Sequence, residues 1–251
     1  MDHAQLTMKT ALLAGEVLLA NGSEIARVED TMDRIAANAG APEASIFVLL
    51  TGITMSLPDD GLTQVRPIRS RTIDLEKVDQ VNTLSRQFAA GDIDLQTFYN
   101  RLRQVNEAVP AFPFWLQLVA AIVVTLTLMM AFTGIDGWLK MVLAAVAGGS
   151  GYAVFYYVNH ELQIRFLSEF LAALVIGGIA YIGTNWLGFT NQSGDAVIIG
   201  ALMPLVPGVP LMNSFRDVLA GNYLSGPARA MEAILSVCAI GIGIAIMVSL
   251  R

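Results

Sequence analysis

The sequence has one cysteine, two histidines and only 14% charged residues, against 55% hydrophobic ones. Each scarcity excludes something. Cys238 has no second thiol to join, so an intrachain disulfide is ruled out, which is compatible with a reducing compartment. His3 and His160 alone do not make a metal-ligand set, and no metal or other cofactor is expected. No Gly-Lys-Ser/Thr stretch of a phosphate loop occurs. The net charge of −6 is mild and its acidic excess lies early in the chain, so a nucleic-acid footprint is not expected.

The charges that are present are unevenly spread. Residues 1–110 hold 10 of the 15 Lys/Arg and 15 of the 21 Asp/Glu, leaving 5 and 6 for the remaining residues up to 251. Two solvents follow, water for the first part and lipid for the second.

Within residues 1–110, Leu6, Ala11, Leu12, Val17 and Leu18 recur at helical spacing. Lys9 before this apolar stretch superficially resembles a secretion signal, but Glu16 interrupts it and no small-x-small cleavage pattern follows. Asn21-Gly22 breaks the helix, Ser23 offers an N-cap with Glu24 at the positive end of the next dipole, and Ile25, Val28, Met32 and Ile35 continue to Gly40. Ser45–Leu57 turns β-rich and Pro58-Asp59-Asp60-Gly61 supplies a turn before Leu62–Ile68, which reads as a β-hairpin with Pro67 at an edge. Arg66, Arg69 and Arg71 fit a solvated edge or structural ion pairs better than an anion site. Two more helices follow, one ending at Gly91 and one capped by Asp92 or Asp94. Pro110 and Pro113 then mark the boundary.

Spans are expected near 112–132, 138–158, 166–189, 196–210 and 227–250, each long enough to cross lipid except the fourth. The predicted fold is an all-α polytopic membrane bundle of about five helices, residues 111–251, preceded by a small α+β cytoplasmic domain with a β-hairpin. With residues 1–110 inside, Arg165, Arg216 and Arg229 fall on the same side and Thr133–Gly137 and Thr190–Asp195 carry no Lys or Arg, Lys140 and Arg251 being the exceptions. The C-terminus, at Arg251, then lies outside. Ala144, Ala147, Gly148, Gly151, Ala173, Gly177, Ala180, Gly241 and Gly243 read as close-packing surface.

Four groups of residues could carry chemistry. The fourth span contains Pro204, Pro207 and Pro210 around Gly208, a density no regular helix tolerates. Irregular backbone at membrane depth survives only when buried or lining a wet cavity, and broken helices offer free backbone groups to substrates. A kink needed only for packing is the alternative. Asn213, Arg216, Asp217 and Asn222 follow, with Arg229 and Glu232 at the mouth of the fifth span. Here the arginines suit interfacial anchoring or a substrate carboxylate, and the acids a coupling proton. His160 and Glu161 form a possible proton relay or a solvated loop, and Glu169 a pair with Arg165. Gly148-Gly-Ser150-Gly151 matches intramembrane serine proteases, but no histidine follows His160 to activate the serine.

Leu13-Ala-Gly-Glu-Val-Leu-Leu-Ala-Asn-Gly22, Arg27-Val-Glu29, Arg69-x-Arg71, Pro207-Gly-Val-Pro-Leu-Met-Asn213-Ser-Phe-Arg-Asp217, Gly221-Asn-Tyr-Leu-Ser-Gly226 and Arg229 together resemble the threonine/serine exporter family, ThrE type, in its YjjP-like branch. That resemblance covers nearly the whole chain. It implies a cytoplasmic N-terminal domain before a five-helix bundle in the bacterial inner membrane, and efflux driven by the proton gradient. It also implies a small YjjB-like membrane partner subunit, because fused relatives carry a second hydrophobic half. Threonine and serine are the substrates associated with fused relatives, and succinate with the split pair.

The resulting expectation is a non-enzymatic exporter subunit. Pro207, Gly208, Asn213, Arg216 and Asp217 line the path, and Arg229 with Glu232 gates or couples it. A membrane-anchored assembly or sensor protein is the rival reading, and an intramembrane protease the third.

Overall fold

The computed structural model describes residues 2–108, 112–133, 137–186 and 191–250. These residues are mostly helical, with one three-stranded antiparallel sheet. The chain divides into two compact units: Met1–Ala111 with Gly208–Met231, and Phe112–Pro207 with Glu232–Arg251. The predicted boundary at Pro110 lies outside the described residues, as do Arg251 and parts of the predicted outer loops Thr133–Gly137 and Thr190–Asp195.

The first unit is built around α1 (His3–Ala20), whose Met8, Ala11, Ala14, Val17 and Leu18 have no exposure. A helix with so wide an apolar face is a central one, and α1 keeps only a narrow polar edge at Gln5, Lys9 and Glu16. Thr7 and Thr10 are accommodated because their hydroxyls donate to the carbonyls of His3 and Leu6. Against α1 pack α2 (Ile25–Asn38), through Val28, Met32 and Ile35, and the sheet, through Ile53 and Met55. Gly15 makes the close approach possible, since a Cβ there would lie 3.0 Å from Ile53 Cδ1.

The sheet runs β1 (Ser45–Leu49), β2 (Gly52–Leu57) and β3 (Leu62–Pro67) in that order. It has one strand more than the predicted hairpin, because Ser45–Leu57 folds back on itself at Leu50-Thr51, pairing Leu49 with Gly52. Pro67 does end an edge strand. α3 (Leu75–Ala90) and α4 (Leu95–Glu107) complete this part, capped by Asp74 on Lys77 N and by Asp94, not Asp92, on Thr97 N. Arg66 pairs with Glu16 at 2.6 Å and Arg71 donates to the Leu50 carbonyl, so both arginines serve the fold.

In the second unit, α5 (Phe114–Thr133), α6 (Trp138–Leu162) and α7 (Arg165–Trp186) are long and apolar, as is α10 (Ser225–Val248), which begins in the first unit. Among the described residues, four helices are therefore long and apolar enough to cross a membrane. A fifth span results if a broken pair, Ser193–Leu205 with Gly208–Leu219, is counted as one. Small residues bring these helices together. Gly148 packs on Thr125, Gly151 on Ile176, Gly177 on Met247 and Gly243 on the Phe170 carbonyl. Gly241 is the exception and meets nothing within 4 Å.

The broken segment is longer than predicted. α8 (Asn191–Leu202) ends in a 3-10 turn, Met203–Leu205, and the helix α9 (Gly208–Leu219) begins after Pro207. Its prolines act in sequence: Pro204 tightens the turn, Pro207 interrupts the helix, and Pro210 sits in the first turn of α9, where a missing N–H costs nothing. α9 buries its polar face, Asn213, Ser214 and Asp217, and exposes Met212, Phe215 and Leu219.

Candidate functional site

Within the first unit, side chains of α9 and the start of α10 converge on four consecutive residues, Gly22 to Ile25. Asn21-Gly22 turns the chain out of α1, with Gly22 at φ +100°, in the left-handed region that favours glycine. The turn is pinned by Asn21, whose side chain donates to the Val17 carbonyl and accepts from Thr72 Oγ1. Asn213 Nδ2 donates to the Gly22 carbonyl at 2.7 Å. Both terminal nitrogens of Arg229 donate to the Ser23 carbonyl at 3.2 Å. Asp217 Oδ1 accepts from Ile25 N at 2.9 Å. Arg216 Nη1 lies 3.5 Å from Glu24 Oε2, at the rim.

Asp217 thus does what Ser23 was expected to do. Glu24 occupies the N-cap position of α2 with no side-chain cap, and the buried Ser23 hydroxyl has no hydrogen-bond partner among the described residues. A carboxylate from 192 residues further along supplies the acceptor and meets the positive end of the α2 dipole. Its second oxygen faces Arg229 Nε at 3.3 Å, and the two side chains are 0% and 6% exposed. A nearly water-free ion pair is therefore fastened to backbone on both sides. Ser225, at the start of α10, adds a buried bond to Leu50 N at 3.1 Å.

The other predicted residues lie elsewhere. Pro207 and Gly208 sit at the break between α8 and α9. Glu232 follows Arg229 by one turn of α10 but belongs to the second unit. His160 and Glu161 are exposed at the end of α6, 3.4 Å apart, with His160 stacked on Tyr156. Ser150 spends its hydroxyl on its own helix, donating to the Val146 carbonyl at 2.6 Å. No cluster of three or more potential metal ligands occurs among the described residues.

Two carboxyls beside the cluster are perturbed. Burial raises Glu29 above its ordinary range, opposed by a hydrogen bond from Val48 N and reinforced by Asp33 and Asp217. Burial also raises Asp33, helped by Asp30. Glu24, Ser225 and the backbone of Gly22 and Ser23 escaped the sequence reading as parts of this site, because nothing in a turn's own residues signals a partner so far along the chain.

Two of the stretches on which the family resemblance rests, around Gly22 and around Asn213–Asp217, meet here. A family model described as "Putative threonine/serine exporter" (ThrE) matches residues 9–251. A "Probable threonine/serine exporter" of Mycobacterium tuberculosis is 23% identical over 99% of this chain and 46% of its own length. A "Probable succinate transporter subunit YjjP" of Escherichia coli is 25% identical over 97% of this chain and 94% of its own, and a protein of the same description from Klebsiella aerogenes is 24% identical over 90% and 87%. The chain therefore spans about half of the mycobacterial relative and most of the other two. No solved structure matches. The match over nearly the whole chain establishes that the protein belongs to the ThrE family of threonine/serine exporters, which are transporters and not enzymes.

Proposed function

We propose that the protein is a subunit of a secondary transporter that exports a small carboxylate-bearing metabolite across the bacterial inner membrane. Threonine, serine and a dicarboxylate such as succinate are the candidates, taken from the descriptions of the relatives. In this reading residues 1–110 face the cytoplasm, the C-terminus lies outside, and a small partner subunit of the YjjB type completes the pathway. The word "subunit" in two relatives' descriptions supports a partner.

The observation that carries the site assignment is the buried Asp217–Arg229 pair, placed just after the proline-broken segment and closed on the carbonyl of Ser23. An arginine whose two terminal nitrogens rest on one carbonyl oxygen holds a geometry that a carboxylate can take over bidentately. Arg229 exchanges Ser23 for the substrate carboxylate, Asp217 keeps the guanidinium oriented, and the Gly22–Ile25 turn is released as the substrate binds. Asn213 and Arg216 hold the same turn from either side. Efflux of labelled threonine, serine and succinate from cells carrying Asp217→Asn or Arg229→Ala, normalised to folded protein in the membrane, tests this. Export falling steeply in both variants is expected, and undiminished export in both would remove the site.

A further inference from the structure

A second buried acid lies in the other unit. Glu169 sits one turn into α7 and is 1% exposed. Its Oε1 receives both nearby donors, Arg165 Nε at 2.8 Å and Ser236 Oγ of α10 at 3.1 Å. Its Oε2 is buried and has no hydrogen-bond partner among the described residues. Arginine–carboxylate pairs frequently engage both oxygens side by side. Here one oxygen is doubly occupied and the other bare.

We propose that Glu169 is a proton-binding residue of the transporter, taking up and releasing one proton at Oε2. This rests on the exporter reading of the family. Acids inside an apolar span are costly to keep and mark ion or proton pathways. The arrangement selects a proton over a metal ion, because a cation needs several oxygen ligands and would face the Arg165 guanidinium, whereas a proton needs one lone pair. Arg165 is 40% exposed and so links the buried carboxyl to the surface at the start of α7. Uptake forms only the Oε2–H bond, leaving Glu169 neutral and the Arg165 charge unshared. Release restores the pair. Ser236 holds Oε1 in both states and thereby couples α7 to α10. The other charged groups on helices of this unit are Lys140, His160 and Glu161 on α6, Asp195 on α8 and Glu232, one turn before Ser236 on α10.

The test uses Glu169→Gln, which preserves an acceptor for Arg165 and Ser236 but cannot titrate. In inverted membrane vesicles from cells producing the full chain with its partner subunit, uptake of labelled threonine, serine and succinate is driven by an imposed pH gradient and compared with exchange in its absence. Gradient-driven uptake falls roughly tenfold or more while exchange stays within about twofold of wild type. Loss of both together in a variant that melts like wild type, or loss of neither, overturns the proposal. Wild-type vesicles showing no flux at all would instead contradict the exporter reading. Infrared titration of the detergent-purified full chain decides the proton site independently. A carboxyl band that grows on acidification and is missing in Glu169→Gln is expected, and identical spectra for the two proteins overturn it.

Discussion

Arg229 and Asp217 are each other's compensation in a nearly dry site, so removing one leaves a buried charge. Arg229→Ala is expected to destabilise the first unit by about 3–5 kcal/mol. Asp217→Asn, which retains an acceptor for Ile25 N, costs less, and the paired substitution Asp217→Asn with Arg229→Ala costs less than the sum of the two. Thermal melting of the four proteins in detergent measures the coupling. Glu29 and Asp33 make stability depend on pH. A carboxyl whose folded value is raised binds its proton more tightly when folded, so its contribution to stability grows as pH falls through that raised value and is lost as pH rises. Glu29→Gln keeps an acceptor for Val48 N and is expected to raise the melting temperature at neutral pH while weakening its rise on mild acidification. At this scale the sequence was half legible. Asp74, Asp94 and Gly91 follow local capping rules and are found where those rules put them. Ser23 does not, because a distant carboxylate reaches the helix start and the local candidate loses.

Helices and strands were legible wherever a turn or a charge interrupted them. The bend at Leu50-Thr51 carries no proline, asparagine or aspartate, and so one apolar run became two strands without a warning in its composition. α1 was found by its period, but its central place shows only in the width of its buried face. Glycines in the spans are not equivalent. A Cβ on Gly200 would lie 2.8 Å from the Thr125 carbonyl oxygen and 2.6 Å from Met129 Cβ, so Gly200→Val is expected to cost about 1–3 kcal/mol by overpacking α5 against α8. Gly241→Ala meets nothing and is expected to be neutral. Expression level and melting temperature of the two variants, measured side by side, distinguish a packed seam from a merely small-residue composition.

For the whole molecule, the uneven distribution of charge sets a charged first part against an apolar second one, and among the described residues four helices of the second part are long and apolar enough to cross a membrane. What order along the chain hides is that Gly208–Met231 groups with the residues before Phe112. Its binding face is polar and its partners are largely backbone groups, so neither hydropathy nor a side-chain motif announces the association. The same segment exposes Phe215 and Leu219, which is why its apolar content reads as part of a span. The account requires that these parts together move a solute outward. Its most direct test is the efflux rate of labelled threonine, serine and succinate from preloaded cells that produce the full chain with its partner subunit, against cells producing neither. Faster loss of at least one of the three, abolished when the pH gradient is collapsed, is predicted. Equal rates for all three would contradict it.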